Sequence, residues 1–192
     1  LDCETLIAQL KLGGFDALAV QSAATDRTLY LQRPDLGRQL NEAARASLRK
    51  LGLPVKPDVL FMIGDGLSSG AAASHAVPVL KEISSKLKGW AIAPIVVAEQ
   101  ARVALGDEVG YLLGAEVVVV LIGERPGLSS PNSLGIYLTY APHPGRSDSE
   151  RNCISNVRPE GLSYSKAAHK LSYLLTAARR LRLSGIQLKD ET

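Results

Sequence analysis

A glycine-rich turn, GDGLSSG at residues 64–70, has the composition of a ligand-binding loop. Backbone N–H groups in such a turn, together with the start of a following helix, favour an anionic or strongly polar group. The turn is neither GxGxxG nor a Walker sequence, so it is only a weak indication of a phosphate site. Asp65 either binds a ligand hydroxyl or caps the next helix, and the sequence leaves both open. Ser68 and Ser69 fit helix N-caps better than nucleophiles, because no His and Asp accompany them at a recognisable spacing.

A second loop, GERPGLSSPNSLG at residues 123–135, follows the most strand-like run in the chain. Its glycines, prolines and serines favour turns, and Glu124 emerges directly at the end of the strand. A carboxylate there can accept hydrogen bonds from ligand amides or ribose hydroxyls. The alternative is that Glu124 or Arg125 forms a local ion pair. We expect ligand contact, because ligands on open α/β sheets bind at the carboxyl ends of the strands.

A third segment, RSDSERNCISNVRPEG at residues 146–161, is polar and charged around a single cysteine, Cys153. Nothing nearby in the sequence forms a recognisable motif that would lower the pKa of its thiol. A packing role is therefore favoured over a nucleophilic one. We expect Cys153 not to be catalytic and the segment to be a long functional loop.

The histidines and cysteines form no metal-binding pattern. His75, His143 and His169 are scattered along the chain, and no two of them have ligand spacing. Cys3 and Cys153 belong to no CxxC or Cys/His cluster. We therefore expect no metal site.

The composition excludes several function classes. A net charge of +3 and an aromatic content of 5% argue against nucleic-acid binding. The longest apolar stretch, residues 115–123, contains Glu116 and is far shorter than the roughly 20 residues that a membrane span needs. No signal peptide is visible from Leu1 onward. A cytoplasmic protein without nucleic-acid or membrane partners is expected.

Residues 1–50 predict a small helical and hairpin appendage. Residues 4–12 have helical spacing and stop at a Gly-Gly pair. Alternating stretches around the Asp-Arg pair at 26–27 predict a two-stranded hairpin. Asp35 would then cap a helix that runs to residue 50.

Residues 51–192 predict one α/β domain in which strands and helices alternate. Predicted strands at 59–63, 91–98 and 116–122 alternate with helices at 69–87 and 100–113, and a strand at 135–141 and a helix at 165–183 complete the domain. Wholly apolar strands indicate burial on both faces, as in a parallel sheet. We predict a Rossmann-like, doubly wound, mostly parallel sheet. The loops after Ile63, Ala98 and Ile122 should then lie together.

Six segments, spread in order over almost the whole chain, carry a resemblance to a known family. They are YLQRPDLGRQL (30–40), DGLS (65–68), ARVALGDEVGYLLGA (101–115), LIGERPGLSSPNSLG (121–135), RNCISNVRPEG (151–161) and SGIQLKD (184–190). Together they resemble the small subunit of ethanolamine ammonia-lyase. The resemblance also implies that the family has further sequence before the part similar to residues 1–30.

The resemblance implies a two-subunit enzyme. Its large subunit would be a TIM barrel that carries the substrate and the radical chemistry, with adenosylcobalamin between the two chains. The implied reaction converts ethanolamine to acetaldehyde and ammonia and begins with homolysis of the cobalt–carbon bond. We therefore expect no catalytic residue on this chain and no turnover by the chain alone. The resemblance leaves open whether the enzyme is enclosed in a bacterial microcompartment.

The family's cobalamin contacts, transferred residue by residue, fall on Val103, Glu124 and Cys153. The resemblance implies that Glu124 accepts from the amide arms of the corrin, while Val103 and Cys153 offer small apolar or backbone surface. These residues would exclude water and fix orientation, because the difficult chemistry belongs to the cofactor. The chain lacks the Asp-x-His-x-x-Gly motif of cobalamin enzymes that replace the lower base. The cofactor is therefore expected to be base-on.

Two other function classes stay open. One is an independent Rossmann-like enzyme acting on a nucleotide or sugar phosphate, with Asp65 and Ser68 at its site. The other is a non-catalytic structural subunit whose loops bind no small molecule. The number of cofactor molecules bound per chain and the dependence of activity on a partner subunit distinguish the three interpretations.

Overall fold

The computed structural model describes residues 1–127 and 132–190. The helices in these residues are α1 (Cys3–Leu12), α2 (Arg27–Gln32), α3 (Glu42–Lys50), α4 (Ser69–Ser84), α5 (Leu105–Leu112) and α6 (Tyr164–Leu181). The strands are β1 (Ala17–Gln21), β2 (Val59–Gly64), β3 (Ile95–Glu99), β4 (Val117–Gly123), β5 (Leu134–Tyr140) and β6 (Asn152–Val157). They form one sheet in the order β1-β3-β2-β4-β5-β6.

The sheet is mixed, which confirms the α/β class, while the Rossmann-like, doubly wound arrangement stays a prediction. β1, β3, β2 and β4 run parallel, whereas β5 is antiparallel to β4 and β6 is antiparallel to β5. The physical reason lies in the short connection between Gly123 and Leu134. A parallel crossover takes about a dozen residues or more, usually including a helix, so this strand returns antiparallel.

The two central strands, β2 and β4, are buried at every residue. Alternate side chains of β2 pack in different layers, because successive residues of a strand point to opposite faces. Phe61 and Ile63 pack in the layer that contains α4 and α6. Leu60 and Met62 pack in the layer that contains α5. Each buried apolar side chain contributes roughly 1.5–3 kcal/mol, and the two layers together hold the strand ends in place.

The predicted hairpin around residues 26–27 is wrong. Its first arm, β1, is an edge strand that runs parallel to β3, with Ala17 opposite Ile95. Its second arm is the helix α2, where the side chain of Asp26 accepts a hydrogen bond from the backbone N–H of Leu29 at 2.9 Å. An aspartate that satisfies a free N–H in this way starts a helix rather than a turn between strands.

The predicted helix over residues 35–50 begins later than expected. Leu36–Arg38 forms a 3-10 turn, and α3 begins only after Asn41. The Asn41 side chain accepts a hydrogen bond from the backbone N–H of Ala44 at 2.8 Å and so supplies the cap. The domain boundary at residue 50 stays a prediction, although β1 shares its sheet with the strands that follow.

A strand, β6, lies inside the segment predicted as a polar loop at 146–161. It pairs with β5 at the sheet edge, where Cys153 is opposite Tyr137. Only Ile154 and Val157 of this strand are buried, so its polar composition concealed it. This pairing places Cys153 beside Tyr137 in the middle of β5.

The other predicted elements are confirmed with shifted ends. The largest shifts are in β3, which begins at Ile95 rather than residue 91, and in α5, which begins at Leu105 rather than residue 100. Within the described residues, no helix is both long enough and apolar enough to cross a membrane.

Candidate functional site

A cavity of about 540 Å³ lies at the sheet edge where the parallel strands end. β2 and β4 end there in register, and the antiparallel arrangement of β5 and β6 brings the start of β5 and the end of β6 to the same edge. Lining residues include Tyr30, Arg102, Val103, Glu124, Tyr137 and Asn156. The predicted meeting of the loops after β2, β3 and β4 is confirmed.

Asp65 joins two of these loops. Its side chain is buried, and its two carboxylate oxygens accept hydrogen bonds from the backbone N–H groups of Gln100 (3.0 Å) and Ala101 (2.9 Å). The sequence left a ligand contact and a helix cap open, and the structure shows that Ser68, not Asp65, caps the next helix. Asp65 instead positions the loop after β3, which carries Arg102 and Val103 into the cavity wall.

Ser68 is the N-cap of α4, as predicted, and Ser69 is the first residue of that helix. The Ser68 hydroxyl accepts a hydrogen bond from the backbone N–H of Ala71 at 3.3 Å. The loop before it packs on the end of β4, where the N–H of Leu67 donates to the carbonyl of Gly123 at 2.9 Å. A Cβ atom at Gly123 would overlap the Ser68 carbonyl oxygen, so only glycine allows this approach.

Glu124 lies in the cavity wall directly after β4, where the sequence placed it. The side chain is half-buried, and its Oε2 accepts hydrogen bonds from the Ser133 hydroxyl (2.6 Å) and the Asn156 backbone N–H (3.1 Å). Both of these donors are neutral. The carboxylate is therefore held in a fixed position while its negative charge stays available to a ligand in the cavity.

Val103 and Cys153 occupy different positions relative to the cavity. Val103 is half-buried and lines it. Cys153 is exposed on β6, where it is paired with Tyr137, a residue of the cavity wall. Although the residue is exposed, desolvation of its thiol raises the pKa of Cys153, a hydrogen bond from the Tyr137 phenol lowers it, and the charge of Glu124 raises it. A thiol with a raised pKa is a poor nucleophile at neutral pH.

Sequence reasoning missed Arg102, a prominent residue of the wall. Its guanidinium lies over the Tyr30 ring, 4.3 Å from the ring centroid, and its Nη2 donates to the Tyr30 carbonyl at 3.1 Å. Its Nε is buried and has no hydrogen-bond partner among the described residues. In the sequence, only its position beside Val103 in the family motif pointed to Arg102. Its stack on Tyr30 could not be foreseen, because the two residues lie far apart along the chain.

Part of the second predicted loop, residues 128–131, lies outside the described residues. The Nε2 of His75 donates a hydrogen bond to the Asn132 carbonyl (3.2 Å), and its Nδ1 shares a hydrogen bond with the Tyr164 hydroxyl (2.8 Å). This is the hydrogen-bonded role expected for a histidine in a helix. Over residues 1–127 and 132–190, no cluster of three or more His, Cys, Asp or Glu side chains could hold a metal ion.

Residues 1–189 match the family model described as ethanolamine ammonia-lyase light chain (EutC). The chain belongs to this family. Its resemblance to the small subunit, inferred from the sequence motifs, is thereby confirmed. Two of the sequence motifs that resemble this family contribute to the candidate site. Their loops carry Val103 and Glu124.

Several curated relatives carry the name ethanolamine ammonia-lyase small subunit. The protein of Pseudomonas putida (strain W619) is 55% identical over 99% of this chain and 71% of its own length. That of Azotobacter vinelandii is 54% identical over 95% of this chain and 69% of its own length. That of Xanthomonas campestris pv. campestris (strain B100) is 53% identical over 99% of this chain and 71% of its own length. The similarity thus extends over the whole fold described above.

The arrangement of side chains in this light chain suits binding rather than bond-breaking. The wall offers a carboxylate at Glu124, a guanidinium at Arg102 and a phenol at Tyr137. Burial raises the pKa of Tyr137, so this phenol stays protonated at neutral pH. In the described part of the wall, no nucleophile is paired with a base and an orienting third group as acyl-transfer chemistry requires.

Proposed function

We propose that this chain acts as the small subunit of an adenosylcobalamin-dependent ethanolamine ammonia-lyase and encloses the cofactor against a large subunit. The observation that carries the proposal is the cavity at the strand ends, which Val103 and Glu124 both line. These residues are two of the three cobalamin contacts implied by the family motifs, and the third, Cys153, pairs with a lining residue. The groups that act on ethanolamine would lie on the large subunit.

The size and chemistry of the cavity support this assignment. A volume of about 540 Å³ is enough for a drug-sized ligand, whereas a corrinoid with its nucleotide tail is far larger. One chain would therefore cover only part of the cofactor, as expected for a site between two subunits. The chemistry of the wall also fits, because the corrin periphery carries neutral amides and the wall offers acceptors and donors at Glu124, Arg102 and Tyr137.

The residues of this chain would bind, orient and exclude water. Glu124, held by Ser133 and Asn156, would accept hydrogen bonds from amide N–H groups. Val103 and the backbone around Cys153 would provide apolar surface that keeps water away from the cofactor. When bound, adenosylcobalamin supplies the radical chemistry that converts ethanolamine to acetaldehyde and ammonia. Because the chain lacks an Asp-x-His-x-x-Gly motif, we propose that the cofactor stays base-on.

We further propose that the parallel strands β1 to β4 form a Rossmann-like unit to which β5 and β6 are added at one edge. Ligands on such sheets bind where the strands end, which agrees with the position of the cavity. The cytoplasm is the proposed location of the assembled enzyme. Within this chain, residues 51–192 are the proposed cobalamin-binding domain, and residues 1–50 are an appendage that adds β1 to its sheet.

Ethanolamine turnover with adenosylcobalamin tests the proposal in three arms: this chain, a large subunit from a close relative, and the two mixed. Assembly is followed by size-exclusion chromatography and cofactor retention by absorbance. We expect turnover and retained cofactor in the mixture and no turnover by either chain alone. Turnover by this chain alone would favour an independent enzyme. An assembled mixture that retains no cofactor and turns over no ethanolamine would overturn the proposal.

A further inference from the structure

Arg102 is held rigidly in the cavity wall. Its guanidinium stacks on Tyr30, whose ring is 1% exposed and whose hydroxyl donates to the Ala101 carbonyl at 3.3 Å. An added Cβ at Gly37 would lie 2.9 Å from the Arg102 Cγ, so the stem of the side chain is closely packed as well. A stacked arginine loses little further freedom when it binds an anion.

The Nε of Arg102 is a buried donor without an acceptor in the described part of the chain. Native proteins rarely leave such a group unpaired, and the loss is greatest for a charged donor. Asp65 forms no hydrogen bond or ion pair with it within the described residues, since its carboxylate oxygens accept backbone N–H groups of Gln100 and Ala101. Arg102 also lines the cavity, so its guanidinium brings a positive charge and an unpaired donor to this wall.

A second arginine, Arg27, contacts two residues of the wall, Tyr30 and Gly66. The guanidinium of Arg27 lies 4.6 Å from the centroid of the same Tyr30 ring, and its Nη1 donates to the Gly66 carbonyl at 2.7 Å. Glu124 is also part of the wall, but its Oε2 is engaged by Ser133 and Asn156. The cavity is thus polar in two different ways, with a cationic group at Arg102 and an acceptor at Glu124.

We infer that Arg102 binds the phosphodiester of the cofactor's nucleotide tail. This inference rests on the proposed function. In that ligand the phosphodiester is the anionic group, whereas the side arms of the corrin are neutral amides. Arginine binds phosphate oxygens well, because its planar guanidinium presents several donors in one plane. Arg102 would then hold the tail while Glu124 accepts from the amides, and this pairing orients the cofactor in the cavity.

Three corrinoids separate a phosphate contact from a structural role. Adenosylcobinamide lacks the phosphate, ribose and base, adenosylcobinamide phosphate adds only the phosphate, and adenosylcobalamin is complete. Equilibrium dissociation constants are measured on the assembled two-subunit enzyme, without turnover. For Arg102→Met we expect affinity for the two phosphate-bearing ligands to fall by about 10- to 100-fold. Affinity for adenosylcobinamide should change by less than about twofold.

Two further variants make the test independent of folding defects. Arg102→Lys keeps the charge but lacks Nε, and should lose part of the affinity for the phosphate-bearing ligands only. Arg38→Met removes an exposed arginine outside this cavity, and should leave all three affinities unchanged. Assembly of each variant is checked by size-exclusion chromatography.

The outcomes distinguish this inference from the proposed function. Equal losses for all three ligands in Arg102→Met and Arg102→Lys would show a structural role and overturn the phosphate assignment alone. Unchanged affinities in both variants would overturn it as well. If the assembled wild-type enzyme bound none of the three corrinoids, the proposed function itself would fail.

Discussion

The carboxylate of Glu124, at the end of β4, accepts a hydrogen bond from the backbone N–H of Asn156 in β6, with 3.1 Å between the two heavy atoms. β4 and β6 are not neighbours in the sheet, because β5 lies between them. The side chain crosses β5 at Gly135, where an added Cβ would lie 3.1 Å from the Glu124 Oε1. Glu124 thus fixes the edge of the cavity as well as contributing its charge.

Replacement of Glu124 by alanine should weaken cobalamin retention in the assembled enzyme without preventing assembly. The variant loses the acceptor for corrin amides and frees the backbone of β6, so we expect the dissociation constant to rise about tenfold or more. Equilibrium dialysis of the assembled enzyme measures this change. Glu82→Ala, at an exposed site on α4, is the matched control and should retain the cofactor. Unchanged affinity in Glu124→Ala would contradict the assignment.

Alkylation of Cys153 should have a pH profile displaced to higher pH. Desolvation holds the pKa of its thiol above the ordinary value of 9.0, so the thiol becomes half ionised only above that pH. In a Cys3→Ser background, the midpoint of the rate of reaction with iodoacetamide against pH should lie above 9.0. A midpoint at or below 9.0 would contradict the prediction.

Tyr137→Phe should slow this alkylation further at pH 8. The Tyr137 phenol lowers the pKa of Cys153 through a hydrogen bond, and its removal raises the pKa and reduces the thiolate fraction. Rates are compared by mass spectrometry, with Cys153→Ser as the unlabelled control. Faster alkylation in Tyr137→Phe would instead show that the ring shields the thiol sterically.

Arg151→Met should strongly destabilise the chain. Arg151 and Asp107 form a bidentate ion pair at 2.6 and 2.7 Å, and their side chains are 2% and 1% exposed. Removal of one partner leaves a buried charge unpaired, so the free energy of unfolding in urea should fall by about 3–5 kcal/mol. Arg33→Met, which breaks the exposed pair with Asp35, should change it by less than about 1 kcal/mol. Equal losses in the two variants would refute the argument.

Gly123→Ala should destabilise the strand end that carries Glu124. The new Cβ would overlap the Ser68 carbonyl oxygen, which is backbone and cannot rotate away, so we expect a loss of about 1–3 kcal/mol. Gly52→Ala is the control, because nothing lies within 4 Å of its added Cβ, and it should change stability by less than about 0.5 kcal/mol. Thermal unfolding of both variants makes the comparison. If Gly123→Ala left the stability unchanged, the loop before α4 and the end of β4 would be able to move apart easily.

The central strands could be predicted because their burial is visible in the local sequence. β2 and β4 are buried on both faces, which requires an apolar side chain at nearly every position, and such runs can be read along the chain. The sheet rule then placed Glu124 at the edge where the cavity lies. The family motifs, which also lie in the sequence, supplied Val103 and Cys153 as proposed cofactor contacts.

The edges of the sheet were decided by tertiary pairing. β1 pairs with β3, far along the chain, and nothing in the residues around Ala17 specifies that partner. β6 buries only Ile154 and Val157, so its composition is that of a loop until β5 supplies its backbone hydrogen bonds. A strand at an edge needs few apolar residues, which removes the local signal.

The roles of the polar residues were decided by tertiary structure alone. Asp65 was expected to bind a ligand or cap a helix, yet it binds two N–H groups on the loop after β3. Arg102 had no predicted role, and its stack on Tyr30 depends on the position of α2. A hydrogen bond or a stack requires particular atoms to meet within a few ångströms. Residue types along the chain determined which groups were available, and only folding determined which of them met.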